Sequence, residues 1–175
     1  MTREELQEIL DKHKRWLNNE YGGEKANLRG VNLRYADLSS TDLRGVNLRY
    51  ADLRSTDLRS ADLRSADLRS TDLRSADLRS ADLRGANLKY ANLSYANLRG
   101  ANLRDANLDY SCLPLWCGSL LANMDDRQVK QLLYHTLSIV KHSNNVSETL
   151  KEALLTEQNV NIAKEFHRAD ECNKL

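Results

Sequence analysis

The residues best suited to chemistry are few and scattered. His13, His135, His142 and His167 fall on stretches with helical periodicity and are not gathered with a nucleophile. His13 sits on an apolar stripe and reads as a packing residue. Cys112 and Cys117 form a C-x4-C pair with no second pair, a poor zinc pattern, and are expected to be buried, inert thiols. No glycine-rich phosphate loop and no carboxylate pair in a cleft is visible. No catalytic residue, cofactor or metal ligand is therefore assigned, and the chain reads as a non-enzyme. What remains is arginine, aspartate and tyrosine in strict register, the material of ion-pair ladders and binding surfaces.

That register is set by leucine. Every fifth residue from Leu28 to Leu113 is leucine, usually with Ala, Thr or Val two residues earlier and Asn or Asp between. A helix would smear a five-residue period around its whole surface, since five steps of about 100° share no face. In an extended chain, residues two apart point the same way, so Ala and Leu face inward while Asn/Asp and Arg face outward. The fifth position, Gly, Ser or Tyr, must turn the corner. The core is then Leu28, Leu33, Leu38, Leu43, Leu48, Leu53, Leu58, Leu63, Leu68, Leu73, Leu78, Leu83, Leu88, Leu93, Leu98, Leu103 and Leu108. Each buried leucine contributes about 1.5–3 kcal/mol.

The A-(D/N)-L-x-x series over residues 26–115 resembles the pentapeptide-repeat family. The resemblance implies a mainly β fold, a right-handed quadrilateral β-helix with four units per coil. At about 4.8 Å per layer, slightly more than four coils would stand roughly 20 Å tall. A recurrence at fifteen residues (Val31 and Val46; Thr41, Thr56 and Thr71) would suit a three-sided coil, but reads as tandem duplication of interchangeable units. Four units per coil stack Arg44, Arg64, Arg84 and Arg104 in one column, with Asp42, Asp62, Asp82 and Asn102 beside them. These are the candidate surface ladder.

Helical segments flank the array. Over residues 1–25, Thr2 and Glu5 have capping-box spacing, and Leu6, Ile9, Leu10, His13, Trp16 and Leu17 share one face. Gly22-Gly23 is expected to end this helix. Over residues 116–175, Asp125 is expected to cap a helix running to about Lys141, with Val129, Leu132, Leu133, Leu137 and Val140 on its apolar face. Ser147 to Phe166 suggests one or two more helices. Pro114 cannot donate to a ladder and suits the place where the sheet stops. The flanks are expected to cap the coil's open ends, which otherwise expose unpaired backbone. They resemble those of bacterial and phage-encoded members of the family.

Lys plus Arg is 26 and Asp plus Glu 25, and the array alone carries 14 basic and 11 acidic groups. Some family members imitate DNA and act on topoisomerases, which needs an acidic rod; the balance here is +3 and the array is short. Weak nucleic-acid binding through the Arg columns and Tyr35, Tyr50, Tyr90, Tyr95 and Tyr110 is the other alternative, disfavoured by the interspersed Asp. The expected role is a structural scaffold or protein-interaction module for an unknown protein partner, with a homodimer through the C-terminal helices as one form of it. No secretory signal or membrane span is visible, and three cysteines fit a cytoplasmic chain.

Overall fold

The structure, a computed structural model, describes residues 1–114, 122–142 and 147–164. The chain forms two compact units, Met1–Asn123 and Met124–Leu175. The helix at the start of the chain belongs to the first of these, together with the whole array.

Each repeat is a bend closed by one hydrogen bond. The leucine carbonyl accepts from the amide three residues on, as Leu28 O does from Val31 N at 3.2 Å. The residue before that amide has positive φ, the third position of a type II turn. Gly30 adopts φ 69°, but Ser and Tyr fill most corners, at 56° in Ser60 and 60° in Tyr50. Turning so often leaves no room for a strand. Among the described residues the coil holds only isolated parallel bridges, one residue to a side.

Those bridges fix the coil. Asn27 pairs with Asn47, Asn32 with Asp52, Asp37 with Asp57 and Asp42 with Asp62, always 20 residues apart, so four units complete each turn. The fifteen-residue recurrence has no counterpart in the pairing. Counting from Ala26, the first side holds the units beginning at Ala26, Val46, Ala66, Ala86 and Ala106. The second side holds those beginning at Val31, Ala51, Thr71, Ala91 and Ser111. Units at Ala36, Thr56, Ala76 and Ala96 form the third side, and units at Thr41, Ala61, Ala81 and Ala101 the fourth. Leu28 through Leu103 are sealed from solvent, and Leu108 nearly so. Thr56 and Thr71 enter the core at first positions because their hydroxyls donate to the carbonyls of Leu33 (2.8 Å) and Leu68 (2.6 Å).

Helix α1 spans Arg3–Leu17 and starts at a full capping box: Thr2 Oγ1 accepts from Glu5 N, and Glu5 Oε2 accepts from Thr2 N at 2.7 Å. Its end differs from expectation. Asn19, at φ 55°, closes it, with Glu20 N donating to Arg15 O (2.9 Å) and Asn19 N to Trp16 O (3.1 Å), a Schellman arrangement. Gly23 is needed for another reason, since a Cβ there would lie 2.3 Å from Trp16 N. Of the expected apolar face only His13 is fully buried, and Trp16 is exposed. His13 Nδ1 accepts from Ala26 N at 3.1 Å, which buries Ala26, whereas Val31, Ala36 and Thr41 in the same coil are half-buried.

The ladder continues past Pro114. Asn92 bridges Cys112, and Asn102 bridges Asn123, 21 residues on. Ala122-Asn123-Met124 repeats the array's pattern one residue out of phase, which hid it from a strict five-residue count. Cys112 is exposed, contrary to the buried thiol expected, because it occupies an outward second position; Cys117 lies outside the described residues.

In the second unit, α2 spans Asp126–His142, α3 Glu148–Leu154 and α4 Glu157–Lys164. Asp125 and Gln128 cap α2 reciprocally, at 3.0 and 2.9 Å. Tyr134 and Leu137 form the core, packed by Leu133, Leu154, Leu155 and Val160. Val129, expected on the apolar face, is 53% exposed, one turn too early to reach that core. Phe166 and His167 lie outside the described residues. No helix among the described residues is long and apolar enough to cross a membrane.

Candidate interaction surface

The second position of each repeat explains how the outer surface is built. Its side-chain oxygen accepts from the amide two residues on, as Asn47 Oδ1 does from Arg49 N and Asp62 Oδ1 from Arg64 N, both at 3.2 Å. Asn and Asp perform this turn-forming role equally. Only Asp also holds the arginine at the fourth position.

Where the second residue is Asp, the guanidinium folds onto it. Arg54 donates through Nε to Asp52 (2.8 Å), Arg69 to Asp67 (2.8 Å) and Arg79 to Asp77 (2.8 Å). Several arginines also reach the carboxylate one coil on: Arg44 lies 3.7 Å from Asp62, Arg54 3.5 Å from Asp72 and Arg64 3.7 Å from Asp82. Hydrogen bonding from these arginines, stronger than the opposing desolvation, holds Asp52, Asp57, Asp67, Asp72, Asp77 and Asp82 below the usual carboxylate range. Within the expected ladder, Arg44, Arg64 and Arg84 each hold an Asp of their own unit. Arg104 follows Asn102, whose Oδ1 accepts only from its backbone amide at 3.3 Å.

At four units whose second residue is Asn, the cation lies on a tyrosine instead, whereas Arg99 and Arg104 also follow Asn but have Gly100 and Asp105 at their corners. Arg34 sits 5.1 Å from the Tyr35 ring, and Arg29 and Arg49 both 5.4 Å from that of Tyr50. Lys89 sits 5.2 Å from the Tyr90 ring and 5.6 Å from that of Tyr110, and these two rings stack at 5.1 Å. Among the described residues Arg29, Arg34, Arg49 and Lys89 have no carboxylate within ion-pair distance.

The sequence carries this rule. Tyr35, Tyr50, Tyr90, Tyr95 and Tyr110 each follow an Asn three residues earlier, while Ser40, Ser55, Ser60, Ser65, Ser70, Ser75 and Ser80 each follow an Asp. The rule is visible only when second and fifth positions are read together. The coil then sorts it in space: Tyr50, Tyr90 and Tyr110 line the corner before the second side, and Tyr35 and Tyr95 the corner after it. Tyr35 is 71% and Tyr95 74% exposed. The second side is thus a flat face framed by tyrosines and unpaired cations, a composition typical of binding hot spots.

The opposite surface is different. An open groove of about 590 Å³ follows the third corner, lined by Ser40, Arg59, Ser60, Arg79, Ser80 and Arg99 among others. Arg59 and Arg79 are held by Asp57 and Asp77. No aromatic ring stands there. Among the described residues no group of His, Cys, Asp and Glu could hold a metal ion.

Comparison with known proteins agrees with this architecture. A family model described as pentapeptide repeats matches in 8 copies, over residues 24–49, 47–85 and 81–114. A pentapeptide repeat protein from the Arabidopsis thaliana thylakoid lumen is 28% identical, with a TM-score of 0.52 covering 73% of this chain and 88% of that one. HetL, a pentapeptide repeat protein involved in heterocyst differentiation regulation from Nostoc sp. strain PCC 7120, is 38% identical over 56% of this chain and 48% of its own, with a TM-score of 0.40. No curated protein matches the chain. The five-residue bends, the coil of four units and the matched array together place this chain in the pentapeptide repeat family.

Proposed function

We propose that this protein is a non-enzymatic interaction module that binds a protein partner through the second side of its coil. The observation that carries the reading is the segregation of exposed tyrosines, together with the cations that lie over them, to the two corners framing that side. Tyr and Arg are enriched in interface cores, and a rigid β face presents them without the cost of ordering a loop. Helix α1 acts as a cap in this reading, supported by the His13–Ala26 hydrogen bond. In the helical unit, Val129 (53%) and Leu150 (47%) leave apolar side chains exposed, and a homodimer would form there. A cytoplasmic location accompanies the reading. DNA mimicry is disfavoured by the array's excess of 14 basic over 11 acidic groups.

The test is capture from host extract on the immobilised protein. Proteins retained by wild type should be lost when Tyr35, Tyr50, Tyr90, Tyr95 and Tyr110 are replaced by serine. They should be kept when Arg59, Arg79 and Arg99 on the opposite corner are replaced by alanine. The converse pattern, or inhibition of gyrase supercoiling at stoichiometric concentration, would overturn the reading.

A further inference from the structure

The corner before the second side carries, coil by coil, Gly30, Tyr50, Ser70, Tyr90 and Tyr110. Tyr90 and Tyr110 stack at 5.1 Å, so successive layers here are spaced for ring-on-ring contact. Tyr50 and Tyr90 are two layers apart, roughly 9.6 Å at about 4.8 Å per layer. Between them stands Ser70, a missing rung. Ser70 is half-buried, whereas Ser40, Ser55, Ser60, Ser65, Ser75 and Ser80 at the other corners are exposed. The column therefore steps from a ring to a serine and back to a ring, a gap one layer deep with Ser70 at its floor.

We propose that this recess receives one aromatic side chain from an acidic segment of a partner protein, completing the ladder Tyr50–guest–Tyr90–Tyr110. A ring at the Ser70 layer would lie about 4.8 Å from each neighbouring layer, within the range of offset stacking. Carboxylates beside that ring would meet Arg49 and Lys89, whose cations lie over Tyr50 and Tyr90 and have no carboxylate of their own. Arg69 at the same layer is already held by Asp67, so it is not the group that recruits an anion. A nucleic-acid strand fits less well. It needs several open ring faces in succession, and here Tyr90 already stacks on Tyr110, which leaves one gap, at the Ser70 layer. The inference rests on the tyrosine-framed side being the interaction surface.

The experiment fills the recess from within. Ser70 has φ 56°, and tyrosine already occupies the same corner at 60° in Tyr50 and 62° in Tyr90, so Ser70→Tyr should fold with an undiminished Tm. The probe is a five-residue peptide with tryptophan between Asp and Glu pairs, followed by tryptophan fluorescence and by NMR of the Tyr50 and Tyr90 rings. Wild type should bind it with salt-dependent affinity, Ser70→Tyr should bind at least about tenfold more weakly, and Ser80→Tyr should bind as wild type does. Equal binding of a peptide with alanine for tryptophan, no binding at millimolar peptide, unchanged affinity of Ser70→Tyr, or tighter binding of single-stranded oligodeoxyadenylate would each overturn the proposal. Capture from extract separates the two levels. Loss in Tyr50→Ser/Tyr90→Ser but not in Ser70→Tyr rejects the recess and keeps the surface; retention in both rejects both.

Discussion

Arg49 and Arg69 occupy the same column one coil apart, yet their guanidinium groups do different things. Arg69 Nε donates to Asp67 at 2.8 Å, while Arg49 lies 5.4 Å from the Tyr50 ring and its Nε is buried with no acceptor. The difference traces to one atom pair, the amide of Asn47 against the carboxylate of Asp67. The backbone does not register the change, because both side chains accept from the following turn at almost the same distance, 3.2 and 3.3 Å. The coil therefore tolerates either residue and leaves the choice to the surface.

The interior should behave as a packed core although each side contributes only one leucine per coil. Leu68 is fully buried at mid-height, between Leu48 and Leu88. Leu68→Ala is expected to destabilise the protein by about 2–5 kcal/mol, against under about 1.5 kcal/mol for Leu68→Met, measured by urea denaturation. Equal effects of the two would mean the interior is loosely filled.

His13 links α1 to the coil and should make that link pH-sensitive. Nδ1 accepts from Ala26 N, so protonating it would set two hydrogens against each other. Burial holds the imidazole below its ordinary 6.5, against the opposing pull of Asp42 and the Arg44 backbone. The unfolded chain therefore takes up the proton first. Stability is complete above about pH 6.5 and declines as pH falls below it. Melting curves between pH 7.5 and pH 5 should show a decline that His13→Phe removes; an identical decline in both proteins would assign it elsewhere.

The Arg–Asp ladders titrate in a separate window. Asp52, Asp57, Asp67, Asp72, Asp77 and Asp82 are held below 3.8, chiefly by hydrogen bonds from their arginines. Their contribution is present above about pH 3.8 and is lost as pH falls through the depressed values, leaving stacked arginines uncompensated. In His13→Phe, Tm should hold from pH 7 to about pH 4 and then drop. A Tm unchanged down to pH 3 would remove the ladders from the account.

The coil was legible because leucine and its small partner recur without a gap, and no other backbone path buries both at a five-residue period. The helix starts were legible too, since Thr2, Asp125 and Ser147 satisfy orphan amides within three residues. The end of α1 was not, because Asn19 took the positive φ one turn before the glycines that advertise it. Asn123 was hidden by a single inserted residue. The tyrosine-framed side escaped because it depends on two positions at once and on the four-fold winding, which brings Tyr50 and Tyr90 to one corner although 40 residues separate them.

The second-position rule is most directly tested by NMR of arginine Nε–Hε groups in wild type and Asn47→Asp. In wild type the Arg49 signal should lie upfield under the Tyr50 ring, and that of Arg69 downfield in its carboxylate hydrogen bond. The substitution should move Arg49 to the Arg69 position and leave the Arg69 signal and the fold unchanged. An Arg49 signal that stays in place would contradict the account.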